Sequence, residues 1–100
     1  MTPGKLGIIL ATHADLAEAV AIALAARRAR HEVAMFAMDA GCRALADAPD
    51  LVAALLDADC EITACSNSAV GLTLPDGVVR GSQDDHAGVV GTSDRVVALT

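Results

Sequence analysis

The sequence has almost no aromatic side chains: its 100 residues include one phenylalanine, Phe36, and neither tryptophan nor tyrosine. Hydrophobic residues nevertheless make up 54% of the chain and charged residues 20%. A disordered chain is therefore excluded, because such chains combine few aliphatic residues with high charge. A core of small aliphatic side chains is thin, so we expect a homo-oligomer, which buries more apolar surface per chain.

Basic residues are also few: seven Lys and Arg stand against 13 Asp and Glu, which gives a net charge of -6. Nucleic-acid-binding proteins carry basic patches, so no nucleic-acid partner is expected. The longest early apolar run, residues 6–11, is too short for a signal peptide, and no run is long enough to span a membrane. Three cysteines, an odd number, argue against a secreted disulfide framework. We therefore expect a cytoplasmic protein with no membrane partner.

Short apolar runs alternate with helical patterns along the chain. The first run lacks alternation between apolar and polar residues, which is typical of a strand buried on both faces. Predicted strands lie close to residues 5–11, 32–38, 61–65, 78–80 and 95–99, and predicted helices close to residues 15–30, 42–48, 50–58 and 82–90. This order predicts one α/β domain, residues 1–100, with three layers (α/β/α) and a mainly parallel five-stranded sheet.

Two of the predicted helices begin with a capping box, in which an N-cap side chain and an acid three residues later each bind a backbone N–H. Asp15 with Glu18 has this spacing before the first helix. Ser82 with Asp85 has it before the last helix. Both pairs predict where the chain enters a helix.

Reactive side chains follow the predicted strands. In open parallel sheets, ligands bind beyond the carboxyl ends of the strands, so residues in these loops are candidates for one site. The candidates are Asp39 and Cys42 after the second strand, Cys65 and Asn67 after the third, and Gln83, Asp85 and His86 after the fourth.

Cys65 is the leading candidate for a reactive group. A thiol at a strand end that leads into a helix meets backbone N–H groups and a positive dipole, and both stabilise the nucleophilic thiolate. The alternative is a small buried hydrophobic residue, the commonest role of a free cysteine. Cys60 lies about 16 Å from Cys65 along an extended strand, too far for a disulfide. Cys42 follows another strand, and a Cys42–Cys65 redox pair remains open.

His86 falls in the first turn of the last predicted helix, where a neutral imidazole could act as a base, a hydrogen-bond donor or a metal ligand. A solvated surface histidine is the alternative. Together with Cys65 and Asp85 it offers three zinc-ligand types, although without a zinc-motif spacing. The chain has no Walker loop, no dinucleotide-binding glycine motif and no C-x-x-C pair.

Several segments, taken in order, resemble the DsrE/DsrF-like family, which includes the TusD-type sulfur-relay subunits. They span nearly the whole chain. The segments are the opening strand, Arg30-His31-Glu32-Val33, Met38-Asp39-Ala40-Gly41, Ile62-Thr63-Ala64-Cys65-Ser66-Asn67, Gly81-Ser82-Gln83 and Ser93-Asp94-Arg95-Val96-Val97.

The resemblance implies a parallel five-stranded sheet between helix layers, usually within an oligomer. It also implies that Cys65 accepts sulfur from a donor protein as a persulfide and passes it to an acceptor protein, without a cofactor. A further hypothesis, which is ours and not part of the resemblance, is that Asn67 and His86 hydrogen-bond the anionic sulfur.

Three functions stay open at this point. A sulfur carrier predicts an accessible Cys65 with a low pKa. A small-ligand or metal-binding module predicts that Cys65, Asp85 and His86 lie within ligand distance. A non-catalytic oligomeric scaffold predicts a buried, unreactive Cys65.

Overall fold

A computed structural model describes residues 3–100, and within them strands and helices alternate as the sequence predicts. The strands are β1 (Lys5–Leu10), β2 (Glu32–Ala37), β3 (Glu61–Cys65), β4 (Val79–Gly81) and β5 (Arg95–Leu99). The helices are α1 (Leu16–Arg28), α2 (Ala40–Asp47), α3 (Pro49–Asp57) and α4 (Gln83–Thr92).

The five strands form one sheet in the order β4-β3-β2-β1-β5, and every neighbouring pair is parallel. The central strand β2 is buried along 33–37, as expected for a strand covered on both faces. The predicted α/β class, with a five-stranded parallel sheet in a three-layer arrangement, is therefore confirmed.

Three helices, α1, α2 and α3, pack against one another and against one face of the sheet. The main core lies between these layers. Its larger fully buried side chains are Ile8, Leu10, Met35, Leu45, Val52 and Leu55. The segment that connects β3 to β4 also packs on this side, because Ala69 and Leu72 belong to the same apolar cluster.

Helix α4 covers the opposite face. The connections from β1 through β4 all step in one direction across the sheet, whereas the connection from β4 to β5 returns to the far edge. Right-handed crossovers in opposite directions lie on opposite faces. A second, small apolar cluster results, in which Ile9, Phe36 and Cys65 are buried and Met38 and Val89 pack against them.

The two predicted capping boxes have different outcomes. Ser82 caps α4 as predicted: its hydroxyl accepts from the Asp84 N–H at 3.2 Å, and Asp85 Oδ2 accepts from the Ser82 N–H at 2.8 Å. The box at Asp15 is wrong, because the Asp15 side chain caps no backbone N–H and instead accepts from the Thr12 hydroxyl at 2.6 Å.

Among residues 3–100, no helix combines the length and apolar character that crossing a membrane requires.

The start of α2 depends on a close backbone approach. Asp39 turns the chain with a φ of 51°, and a Cβ on Gly41 would collide with the carbonyl group of Leu10. Only glycine allows α2 to pack so closely on the end of β1.

We predict that Gly41→Ala lowers the free energy of unfolding by about 1–3 kcal/mol, because the methyl group has no space. The matched control is Gly88→Ala in α4, where an added Cβ meets no atom within 4 Å. The control should raise the free energy of unfolding by about 0.5–1 kcal/mol through helix propensity. Urea unfolding measures both values, and equal effects of the two substitutions would contradict this account of α2.

Candidate functional site

The candidate site lies where β3 and β4 end side by side. Cys65, the last residue of β3, is paired with Gly81, the last residue of β4. The chain leaves β3 on the side of α1–α3 and leaves β4 towards α4 on the other side. Such a divergence opens a crevice at the carboxyl ends of two neighbouring strands, the usual place for a site in this class of sheet.

For residues 66–72 the sequence predicts a turn and a helical piece, and directly after Cys65 the structure has turns at residues 66–71 without a regular helix. The Ala69 N–H donates to the Cys65 carbonyl at 2.9 Å, which closes one helix-like turn. Cys65 therefore stands in the position of an N-cap residue, whose side chain faces the N–H groups two and three residues later. In this chain those residues are Asn67 and Ser68.

The surroundings of the Cys65 sulfur favour its anionic form. Hydrogen bonding from the Ser68 backbone and hydroxyl lowers the pKa of the Cys65 thiol below the usual thiol value, with smaller contributions from the Asn67 backbone and the Gln83 side chain. Burial opposes this change in pKa but does not cancel it. Gln83 Nε2 lies 3.8 Å from Cys65 Sγ. A lowered thiol pKa at a strand end is typical of reactive cysteines.

The thiol is not open to solvent, however. Cys65 is only 5% exposed, so the accessible thiol that a sulfur carrier predicts is not observed. Ile9 and Phe36 cover it from the sheet side. On the outer side its neighbours are the exposed residues Asn67 and Gln83. The cover on that side therefore includes surface side chains, which reorient more readily than a packed core.

Cys42 lies on the other face of the sheet, within the main core, and is fully buried. Its thiol donates to the carbonyl groups of Ala37 at 3.4 Å and of Cys65 at 3.9 Å. Burial raises the pKa of the Cys42 thiol. The Cys42 thiol thus contacts the backbone carbonyl of Cys65, and both cysteines are free thiols without a disulfide between them.

Cys60 lies just before β3, at the opposite end of the strand from Cys65. It is 5% exposed, and burial raises the pKa of its thiol. Cys60 and Cys65 are therefore equally exposed but have pKa values shifted in opposite directions, which makes Cys60 a matched comparison for Cys65.

The other predicted site residues have structural contacts of their own. The His86 ring packs on Phe36, beside Cys65 in the small apolar cluster, with 5.2 Å between ring centroids. The Asp85 carboxylate is engaged in the cap of α4. Asp39 occupies the strained turn before α2 and joins no contact with the Cys65 sulfur.

Ser68 contributes most to the environment of the Cys65 sulfur, yet it was not among the predicted site residues. The signal that identifies it is its spacing: a hydroxyl three residues after a residue in the N-cap position faces that residue's side chain.

In the described range 3–100, no three side chains of His, Cys, Asp or Glu are grouped to hold a metal ion. A cavity of about 490 Å³ lies at the amino ends of β1 and β5, at the other end of the strands from Cys65, and is lined in part by Gly4, Lys5, His31 and Asp94. Polar groups there already pair with each other: His31 Nδ1 accepts from the Gly4 N–H, and Asp94 Oδ2 accepts from the Lys5 N–H. Neither observation favours the metal or ligand module.

The fold and the site together define a small α/β domain with three buried cysteines, one of which, Cys65, has a lowered pKa at the carboxyl ends of β3 and β4. In comparisons with known proteins, no family model matches the chain and no curated protein matches it. The resemblance to the DsrE/DsrF-like family therefore rests on the sequence segments alone, and the function has to be argued from the site.

We predict that Ser68→Ala raises the pH at which Cys65 becomes half-reactive towards iodoacetamide, because the thiolate loses a hydroxyl donor. The control is Ser66→Ala, which removes a neighbouring exposed hydroxyl that does not act on the Cys65 pKa. Peptide mapping of the alkylated protein at each pH measures the rate at Cys65. An unchanged profile in Ser68→Ala would contradict the assigned donor.

Proposed function

We propose that this protein is a sulfur carrier that accepts a persulfide sulfur at Cys65 and passes it to an acceptor thiol. The observation that supports the proposal is the contrast among the three thiols: only at Cys65 do hydrogen-bond donors around the sulfur outweigh burial and lower the pKa. The family resemblance supports the same residue independently.

The chemistry consists of two thiol-exchange steps. The Cys65 thiolate attacks the outer sulfur of a donor protein's persulfide, the donor's S–S bond breaks, and the donor leaves as a thiolate. An acceptor thiolate then attacks the outer sulfur on Cys65, and the Cys65 thiolate leaves. Each step moves one sulfur from one thiol to another without net oxidation or reduction, so no external oxidant, reductant or cofactor is required.

The donors around Cys65 suit both steps. They stabilise the attacking thiolate in the first step and the leaving thiolate in the second. Asn67 and His86 are further candidates to hydrogen-bond the bound sulfur. Gln83 lies over Cys65 Sγ at 3.8 Å and is itself exposed, so it must move aside for a partner to reach the thiol.

The scaffold hypothesis is the second candidate, and the 5% exposure of Cys65 favours it. A buried cysteine that only fills space needs no donors around its sulfur, and burial alone would raise its pKa. Cys60 and Cys42 behave in this way. The scaffold hypothesis therefore does not explain why the pKa of Cys65 is lowered.

We predict that the reduced protein, incubated with a persulfide-loaded sulfurtransferase, gains the mass of one sulfur atom. Cys65→Ser should lose this adduct, whereas Cys60→Ser, the equally buried control, should keep it. Intact-protein mass spectrometry measures the gain. A wild-type protein that stays unmodified, with Cys65 also inert to alkylation, would favour the scaffold.

We also propose that the carrier is a homo-oligomer in the cytoplasm and that its copies meet through the face of α4. No residue of α4 is buried. A five-stranded sheet is about 19 Å wide and one helix about 10 Å, so α4 leaves part of this face bare. Three valines here are at least 41% exposed: Val79, Val90 and Val96.

Charge supports a second copy as the occupant of this face. The first turn of α4 carries Asp84 and Asp85, and Lys5 lies at its other end, with Nζ 2.9 Å from the Thr92 hydroxyl. Two copies related by a two-fold axis, with their α4 helices antiparallel, would place Asp84 and Asp85 of each near Lys5 and Arg95 of the other, with Asp94 offsetting part of that positive charge. The dipoles of the two antiparallel α4 helices would also attract each other.

We predict that Val90→Glu weakens self-association at least about tenfold, because it would bury an unpaired carboxylate. Val70→Glu is the control, since Val70 is a 78% exposed valine outside α4. Analytical ultracentrifugation over a concentration series measures the association. A wild-type monomer at all concentrations, or equal weakening by both substitutions, would contradict the proposed surface.

A further inference from the structure

Arg80 binds the segment that follows Cys65. It lies in β4 opposite Ala64. Its guanidinium donates two hydrogen bonds to this segment: Nη1 to the Ala69 carbonyl at 3.2 Å, and Nη2 to the Leu72 carbonyl at 2.7 Å. One side chain therefore ties two points of the 66–72 segment to the neighbouring strand.

The two bound carbonyls lie at the two ends of a short stretch of this segment. The Ala69 carbonyl also accepts from the Leu72 N–H at 3.0 Å, so Arg80 adds a second donor to Ala69 and binds the carbonyl at the end of that turn, Leu72. Between the two bound carbonyls the chain is exposed at Val70 and passes through Gly71 with a φ of 78°. The contacts of Arg80 thus hold both ends of an otherwise exposed stretch of backbone.

The other side of the same turn faces the sulfur. Its first residues, Asn67 and Ser68, are the ones that act on Cys65, and Ala69 joins the two sides because its N–H donates to Cys65 while its carbonyl accepts from Arg80. A shift of the turn by a fraction of an ångström would lengthen hydrogen bonds whose strength falls steeply with geometry.

We propose that Arg80 is a positioning residue that fixes the 66–72 turn against Cys65 and thereby sets the reactivity of the thiol. The inference deepens the proposed function, because sulfur transfer uses that thiol, but its test is independent of sulfur transfer.

The proposal depends on the planar, forked shape of the Arg80 guanidinium, whose two terminal nitrogens bind two carbonyl groups at once, and not on its positive charge alone. Two carbonyl groups are bound by two different nitrogens of one planar group, which a lysine ammonium does not reproduce. Arg80→Lys therefore separates the two effects: it keeps the charge but loses the two-point contact. Arg80→Leu removes both.

The experiment compares the pH–rate profile of Cys65 alkylation by iodoacetamide in wild type, Arg80→Lys and Arg80→Leu, with Arg28→Lys as the control at an exposed arginine on α1. We expect the midpoint to move up by about one pH unit in Arg80→Leu. We expect Arg80→Lys to rescue little of this shift and Arg28→Lys to match wild type. Circular dichroism and urea unfolding establish which variants are folded.

An unchanged midpoint in folded Arg80→Leu would overturn the proposal, and so would full rescue by Arg80→Lys, which would assign the effect to charge. If Arg80→Leu does not fold, Arg80→Lys alone decides: a raised midpoint supports the fork and a wild-type midpoint overturns it. A raised midpoint together with a wild-type protein that accepts no sulfur would overturn the carrier function and leave the role of Arg80 intact.

Discussion

Right-handed crossover connections in a parallel sheet determine where everything else in this molecule lies. Because β1 to β4 follow one another across the sheet, their connections share one face, and only the return to β5 uses the other. The chain consequently leaves β3 and β4 on opposite faces. Cys65 and Gly81 end those two strands, so the divergence of the chain occurs beside the thiol whose pKa is lowered by neighbouring donors.

The same constraint divides the cysteines between two environments. Cys42 belongs to the large core beneath α1–α3, where its thiol donates to two carbonyl oxygens and burial dominates its pKa. Cys65 belongs to the small cluster beneath α4, beside a turn and a helix start that supply N–H groups. The pKa of the cysteine thiol is thus raised at Cys42 and lowered at Cys65, because the two residues lie on opposite faces of the same sheet.

Much of the fold could be predicted from the sequence, since unalternating apolar runs and the Ser82 cap each report local structure. The cap predicted at Asp15 was wrong because a nearer donor, the Thr12 hydroxyl, competes for the carboxylate. The sequence predicts that Cys42 follows a different strand from the one that ends at Cys65, but it could not show that their side chains belong to apolar clusters on opposite faces of the sheet. Arg80 was beyond reach, because its partners lie eight and eleven residues earlier in an irregular segment.

The exposure of Cys65 was also beyond sequence reasoning, because it depends on how tightly loops close over a strand end. The resulting arrangement, a covered thiol with donors around its sulfur, is the feature on which the functional account depends. It can be tested by titrating the ¹³Cβ chemical shifts of all three cysteines in one NMR experiment. The account predicts that Cys65 titrates below the usual thiol pKa and that Cys42 and Cys60 titrate above it. A Cys65 signal that titrates together with the other two would contradict it.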